Sequence, residues 1–167
     1  MHVKRPDEDA LIASGGDVPV MQFLISDVKG EVLGVSNENK IYQLNCAGGR
    51  ISCELKGTVS ALLEGEGVNS VCMDRKGRLW FNTTLGRVLR SDETMNVFEN
   101  VPLDDEIDDC TILGLLSDKN SVWIITNKKV LQYNIDSQAY QNYSTADENI
   151  MVDVFRYKAI SLDGWGG

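Results

Sequence analysis

The sequence contains an internal repeat, and this repeat constrains the fold more than any other feature. Three segments share one layout: an apolar run ending at an aspartate, a short turn, a second apolar run, a polar turn and a third apolar run. The anchoring residues Asp27, Asp74 and Asp118 lie 47 and 44 residues apart, and Asp163 with Gly164 begins a fourth copy 45 residues further on. A period of about 45 residues with four short strands per unit is typical of β-propeller blades.

The residues of each repeat favour β-hairpins. An Asp followed by Gly or Asn reverses the chain, because Asp bonds to its own backbone and Gly or Asn accepts a positive φ. Residues 78–82 and 122–126 are β-branched and aromatic, which is typical of buried central strands, whereas residues 96–99 and 138–143 alternate as half-exposed outer strands do. We therefore predict an all-β chain: a β-propeller fragment of about three and a half four-stranded blades, too few to close a ring by itself, since closed propellers have at least four.

The repeats also divide the chain. Residues 1–17 form a charged leader, residues 18–57, 58–106 and 107–147 form three blades, and residues 148–167 start a truncated further blade. The chain of 167 residues is long enough to bury a domain-sized core. Because the ring is not complete, we expect exposed sheet edges, association with a second copy, or continuation in a longer polypeptide.

Charge and hydropathy exclude two kinds of partner. The chain has 25 acidic and 16 basic residues and a net charge of −9, which argues against nucleic acid, since phosphates are bound by clustered Lys and Arg. No stretch approaches the roughly 18 apolar residues needed to cross a bilayer, and the leader lacks the apolar run of a signal peptide. We expect neither nucleic-acid binding nor direct membrane insertion.

No catalytic, metal or cofactor motif is present. His2 is the only histidine and the four cysteines lack C-x-x-C spacing, so no zinc set forms. Nucleotide-binding glycine loops and the G-x-S-x-G motif are absent. Cys46 and Cys53 flank a turn and could face each other across a hairpin, although two small buried thiols are the favoured interpretation. The acidic run at 104–109 lacks calcium-loop spacing and is interpreted as a solvated loop between blades.

Residues 74–90 resemble the two-component regulator propeller repeat, in which a D-x-x-G turn leads to a leucine-tryptophan strand, a threonine, a glycine and a short strand. The third copy is similar but has Asn120 at the turn, and the first is weaker, with Leu33 and Ser36 in place of the tryptophan and threonine. The residues 155–167 look like the closing repeat of this family. The resemblance assigns as structural signature Asp27, Gly30, Asp74, Gly77, Trp80, Thr83, Gly86, Asp118, Trp123, Thr126, Asp163 and Gly164.

The resemblance implies a function. Such repeats build the periplasmic sensor region of hybrid two-component histidine kinases of Bacteroides-type bacteria, which respond to breakdown products of complex glycans. It implies a non-catalytic, periplasmic sensory segment that recognises or relays a glycan-derived signal, with the kinase and its phosphorelay elsewhere in the parent protein. The implied partners are the remaining propeller blades and a downstream three-tyrosine-like domain of the same polypeptide; an oligosaccharide ligand and a homodimer are further expectations.

Two other functions stay open. Streptogramin-lyase-like propellers carry a similar tryptophan strand and glycine turn, but an enzyme of this kind needs a positioned general base, and His2 lies in the leader. A generic protein-interaction propeller is the second alternative. Trp80 and Trp123 could be sugar-stacking platforms, but their matching positions in what we interpret as the innermost strands favour core packing. A structural role is likewise favoured for Trp165.

Overall fold

A computed structural model describes residues 18–26, 29–48, 50–59, 63, 65–103, 107 and 110–144. The leader with His2, the signature residues Asp27, Asp163 and Gly164, Trp165 and most of the acidic run lie outside the described residues. The further blade expected at 148–167 lies outside them as well.

The described residues form three antiparallel sheets of four strands, each strand pairing with the next along the chain. The first sheet comprises β1 (Met21–Ser26), β2 (Val32–Ser36), β3 (Lys40–Ala47) and β4 (Arg50–Thr58). The second comprises β5 (Val68–Met73), β6 (Leu79–Thr83), β7 (Val88–Ser91) and β8 (Phe98–Asn100). The third comprises β9 (Ile112–Ser117), β10 (Ser121–Thr126), β11 (Lys129–Asn134) and β12 (Tyr140–Ser144). The all-β prediction and the incomplete ring are confirmed for this part of the chain.

The three sheets stack through two hydrophobic clusters. One cluster lies between the first and second sheets and contains Leu33, Val35, Leu79 and Phe81. The other lies between the second and third sheets and contains Trp80, Leu131 and Tyr133. Strand β5 contacts both β1 and β9, so the first strand of every sheet lies innermost. The interpretation of the tryptophan strands as innermost is therefore wrong: β6 and β10 are second in their sheets.

The second sheet lies between the other two, so both of its faces are buried. Alternate residues of β6 point to opposite faces. Leu79 and Phe81 belong to the cluster shared with the first sheet, whereas Trp80 belongs to the cluster shared with the third. All three are fully buried. The sequence of β6 is therefore apolar at consecutive positions, as in other strands that are covered on both faces.

Strands β3 and β4 form the longest hairpin, and it carries two of the cysteines. Cys46 pairs with Ile51 and Cys53 pairs with Leu44, so the two cysteines lie diagonally rather than opposite each other. Both are free thiols. Cys46 is exposed and Cys53 is half-buried, so the interpretation of two buried thiols is wrong. The shape of the hairpin explains this, because Cys46 lies beyond the end of β2, where no third strand covers it.

Candidate functional site

Asp74 organises the turn between β5 and β6. Its Oδ1 accepts the backbone N–H groups of Lys76 and Arg78 at 2.9 and 3.1 Å. Its Oδ2 accepts the Trp80 indole N–H at 2.9 Å and the Arg78 Nε–H at 2.8 Å. Gly77 supplies the positive φ, at +78°. The Asp74 carboxylate is fully buried and needs these partners, because an isolated buried charge is costly.

Asp118 does the same in the third sheet with a shorter turn. Its Oδ1 accepts the N–H groups of Asn120 and Ser121, both at 2.7 Å, and its Oδ2 accepts the Trp123 indole N–H at 2.7 Å. Asn120, expected to take over the positive φ of Gly77, does not have one. The physical reason is the missing residue: Asp118 N–H bonds to the Ser121 carbonyl across a turn one residue shorter.

A second recurring element is the hydroxyl at the end of each second strand. Thr83 Oγ1 accepts the backbone N–H of Arg87 at 3.1 Å, and Thr126 Oγ1 accepts that of Lys129 at 2.9 Å. Ser36, the replacement in the first repeat, accepts the N–H of Lys40 at 3.2 Å. The hydroxyl thus fixes the following turn in all three sheets.

Glycines in the same repeat supply turn conformations. Gly30 and Gly86 have φ of +83° and +80°, values that side-chain-bearing residues rarely adopt. In the first sheet Asn39 occupies the place of Gly86 and has φ of +59°. Together with the aspartates and hydroxyls, these glycines have an architectural role: they hold turns.

The tryptophans differ in their surroundings. Trp80 is fully buried, and its ring lies 5.0 Å from Tyr133 of the third sheet. Trp123 is half-buried and lies 5.8 Å from Tyr143 of its own sheet. The difference follows from position, because the third sheet covers Trp80 and no described sheet covers Trp123.

Sequence reasoning missed Arg90, which joins the second and third sheets. Its guanidinium lies 5.3 Å from the Trp80 ring and donates from Nη1 to the Tyr133 hydroxyl at 3.0 Å. It also donates from Nε to Glu99 Oε1 at 2.9 Å. Burial lowers the pKa of Arg90, but these partners outweigh it and the pKa is raised. The only sequence signal is one arginine where the other repeats carry Gln43 and Gln132.

A polar contact joins the turns of the second and third sheets at the surface. Arg75 forms an ion pair with Asp136, and Lys76 Nζ lies 3.8 Å from the same carboxylate. The hydrogen bond from Arg75 lowers the pKa of Asp136, and the charges of Arg75 and Lys76 lower it further. Exposed ion pairs of this kind contribute little to stability.

No metal-binding set or membrane-spanning element emerges from the described part of the chain. Groups of three or more His, Cys, Asp or Glu placed to hold a metal ion do not occur among these residues. The described residues also contain no helix that is long and apolar enough to cross a bilayer.

Comparison with known families identifies the repeat. Residues 62–84, which include the Asp74 turn and strand β6, match the family model for the two-component regulator propeller. Residues 62–84 carry one two-component regulator propeller repeat. A comparison with curated proteins gives no match.

Solved structures share the fold of this segment. Two structures of the extracellular domain of one B. thetaiotaomicron protein, named as a hybrid two-component system in one and a one-component system in the other, superpose with TM-scores of 0.51 and 0.52. Their identities are 21% and 22%, and they cover 74% and 75% of this chain. PorZ, a surface component of the type-IX secretion system of Porphyromonas gingivalis, has a TM-score of 0.51 at 17% identity over 74% of this chain. The segment spans only 16% of each of these chains.

Proposed function

We propose that this segment is part of a non-catalytic sensory β-propeller in a two-component receptor, where it recognises or relays a glycan-derived signal. The observation that carries the proposal is the regulator propeller match at residues 62–84 in the central sheet. The fold shared with the B. thetaiotaomicron extracellular domains supports a location outside the cytoplasm, which for this class of receptor is the periplasm. The kinase and its phosphorelay belong to other parts of the parent protein.

The exposed face of the first sheet supports further blades as partners. Leu24, Gly34, Tyr42 and Leu55 are directly opposite one another across β1 to β4 and so share one face. Leu24 is 66% exposed and Leu55 is 54% exposed. A continuous apolar face left open to water is unfavourable, which favours a covering sheet.

The equivalent face of the second sheet indicates what covers the open face of the first sheet. Phe81 and Leu89 of the second sheet correspond to Gly34 and Tyr42, and both are fully buried against the first sheet. The open face therefore resembles one that a preceding blade buries. We propose that the remaining blades of the same polypeptide cover it, with a three-tyrosine-like domain following the propeller and a homodimer as the competing arrangement.

The assigned signature residues support a structural rather than an enzymatic role. The carboxylates of Asp74 and Asp118 are engaged by turn amides and indole groups, and Thr83 and Thr126 cap turns. Nothing favours the streptogramin-lyase-like alternative, because none of the described residues is a histidine that could act as general base.

The first experiment determines the reading frame on both sides of this segment. We expect further regulator propeller repeats, one membrane-spanning helix and a histidine kinase. A frame that encodes none of these would contradict the receptor assignment, and the oligomeric state of the isolated chain by light scattering would then decide whether a second copy covers the open faces.

A second experiment tests signalling in the full-length receptor. Cells carrying a transcriptional reporter would be exposed to oligosaccharide mixtures, with the wild-type receptor and with Trp80→Ala, which removes the ring contact with Tyr133 between the second and third sheets. We expect loss of the response in the variant, and no change with Glu54→Gln on the exposed edge strand. A normal response of a correctly folded Trp80→Ala receptor would contradict a role for this segment in the signal.

A further inference from the structure

Strand β4 is the longest outermost strand of the three sheets. It has nine residues, whereas the outermost strands β8 and β12 have three and five. No described strand pairs with its outer edge. Natural sheets usually shorten or block such an edge, because its unpaired N–H and C=O groups attract another strand. The sheets stack through their faces, so further blades would leave the edge of β4 open.

The first part of β4 is the regular part of this edge. Lys56 is an extra residue in the pairing of β4 with β3, and such a bulge interrupts strand pairing. Gly57 lies against the Met95 carbonyl group of the second sheet. The surface on which another strand can pair is therefore residues 50–55.

Much of this surface belongs to a two-stranded extension of the sheet. β2 pairs with β3 only as far as Leu44, so residues 45–47 and 50–52 pair with each other alone. Within this extension Cys46 is directly opposite Ile51, on the face that also carries Leu44. A two-stranded ribbon is marginally stable in water, and additional strands stabilise it. A further strand along the outer edge of β4 would therefore be favourable.

The charges on β4 indicate which strand fits. Arg50 and Glu54 are exposed, point to the same face and lie about 13 Å apart along the strand, too far to pair with each other. Glu54 contacts Lys56 at 2.9 Å and its side chain is still 64% exposed, whereas Arg50 has no ion-pair partner among the described residues. A second β4, related by a two-fold axis at Ser52, would place each Arg50 opposite Glu54 of the other copy.

Neighbouring two-fold registers are less favourable. An axis at Cys53 brings Arg50 towards Lys56 of the second copy, and an axis at Glu54 sets the two Glu54 carboxylates opposite each other. An axis at Ile51 leaves both charges without a partner. The charges therefore favour the register centred on Ser52.

The backbone groups of β4 agree with this register. Ala47 and Arg50 close a two-residue hairpin loop, so their backbone groups bond to each other and those of Ile51 and Cys53 point to the open edge. An axis at Ser52 sets Ile51 opposite Cys53 of the second copy, and these outward N–H and C=O groups meet. Arg50 and Glu54 then form the more closely spaced kind of cross-strand pair.

We propose that β4 pairs in antiparallel orientation with β4 of a second copy of this chain, with the two-fold axis at Ser52. The two four-stranded sheets then form one continuous sheet, joined edge to edge. This contact leaves the open apolar face of the first sheet uncovered, so it is compatible with further blades. The proposal goes beyond the sensory function proposed above and does not rest on it, because it concerns the residues of β4 alone.

Disulfide trapping tests the pairing in the full chain. Ser52→Cys would be combined with Cys46→Ser, which removes the exposed native thiol. With oxidised glutathione as the oxidant, the two introduced thiols form one disulfide and glutathione disulfide is reduced to two thiols. The Cα atoms of the pair would lie about 4.5 Å apart, within the range of natural disulfides.

The matched control is Gln141→Cys on the outermost strand β12, in the same Cys46→Ser background. We expect the Ser52→Cys chain to form covalent dimers at least about tenfold faster than the control, because strand pairing raises the effective concentration of the thiols. Equal rates in the two folded variants would overturn the proposal. A dimer seen by light scattering without this preference would place the second copy on another surface and would overturn it as well.

Charge exchange then tests the register. In the Ser52→Cys chain, Glu54→Arg sets like charges opposite each other twice, and the dimer should form about tenfold more slowly. Arg50→Glu combined with Glu54→Arg restores opposite charges and should restore the rate. Glu54→Gln keeps a hydrogen-bond acceptor and should slow the reaction less than Glu54→Arg. A double variant as slow as Glu54→Arg would overturn the proposed pairing, whereas trapping at Ser52 with a reading frame lacking a kinase would support it and overturn the receptor assignment alone.

Discussion

The indole N–H of Trp80 donates a hydrogen bond to Oδ2 of Asp74 at 2.9 Å, and Trp123 donates to Asp118 in the same way at 2.7 Å. The aspartate and the tryptophan of the repeat therefore act together. One carboxylate oxygen holds the turn amides, and the other orients the aromatic ring at the interface with the next sheet. This arrangement explains why a turn residue and a strand residue belong to a single sequence signature.

Replacing Asp74 should be far more costly than replacing Asp118. Asp74→Asn removes the charge that faces Arg78 in a fully buried site, and we expect the free energy of unfolding to fall by about 3 kcal/mol or more. Asp118→Asn keeps the shape of a partly exposed turn and should cost about 1 kcal/mol. Urea denaturation of both variants measures the difference. Equal losses would contradict the importance of the buried charge pair.

The stability should decrease in acid through Asp118. Partial burial raises the pKa of Asp118, but hydrogen bonds from the Asn120 N–H, the Trp123 indole and the Ser121 N–H outweigh it, so the pKa is lowered. A lowered pKa contributes stability above the unfolded value of about 3.9 and loses it as the pH falls through the folded value. The difference in unfolding free energy between wild type and Asp118→Asn should therefore shrink below about pH 4. A difference that stays constant down to about pH 2 would argue against this coupling.

The cysteines should react with iodoacetamide in the order of their exposure. Burial raises the pKa of the Cys72 thiol to about 12, so it stays protonated at pH 8 and is shielded as well. Cys46 is exposed and should be modified first, with Cys53 and Cys110 slower. Peptide mapping by mass spectrometry after short pulses gives the order, and unfolding in urea should make all four reactive. Early modification of Cys72 in the folded chain would count against the packing of the second and third sheets.

Gly57 should not tolerate a side chain. A Cβ at Gly57 would lie 2.1 Å from the carbonyl oxygen of Met95 in the β7–β8 turn, so Gly57→Ala must separate the first and second sheets. We expect a loss of about 1–3 kcal/mol in unfolding free energy. Gly67→Ala is the matched control, because its Cβ would meet only the Thr84 methyl group at 3.2 Å. Thermal unfolding of both variants tests the contact, and similar melting temperatures for the two would contradict it.

The sequence predicts local geometry well because the turn chemistry of the repeat is local. The Asp74 and Asp118 turns and the outer strands β8 and β12 lie where the pattern places them. The predicted innermost position of the tryptophan strands was wrong. A strand that is covered on both faces is apolar throughout whether it is the first or the second strand of its sheet, so the sequence pattern does not distinguish the two positions.

The repeat pattern of the sequence does not predict contacts between sheets. Arg90 meets Tyr133 43 residues later in the chain, and no spacing rule within one repeat joins them.

Because alternate residues of β6 point to opposite faces, the two faces of the second sheet carry different residues and the stack of sheets has a direction. The Leu33 row of the first sheet packs against the second sheet, and the Trp80 row of the second sheet packs in the same direction against the third. Duplicating one whole unit in the gene would therefore place a forward face against a receiving face that already fits it, without any new interface having to evolve. Repeat number can change in this way by whole units, whereas a partial duplication would leave a tryptophan facing water.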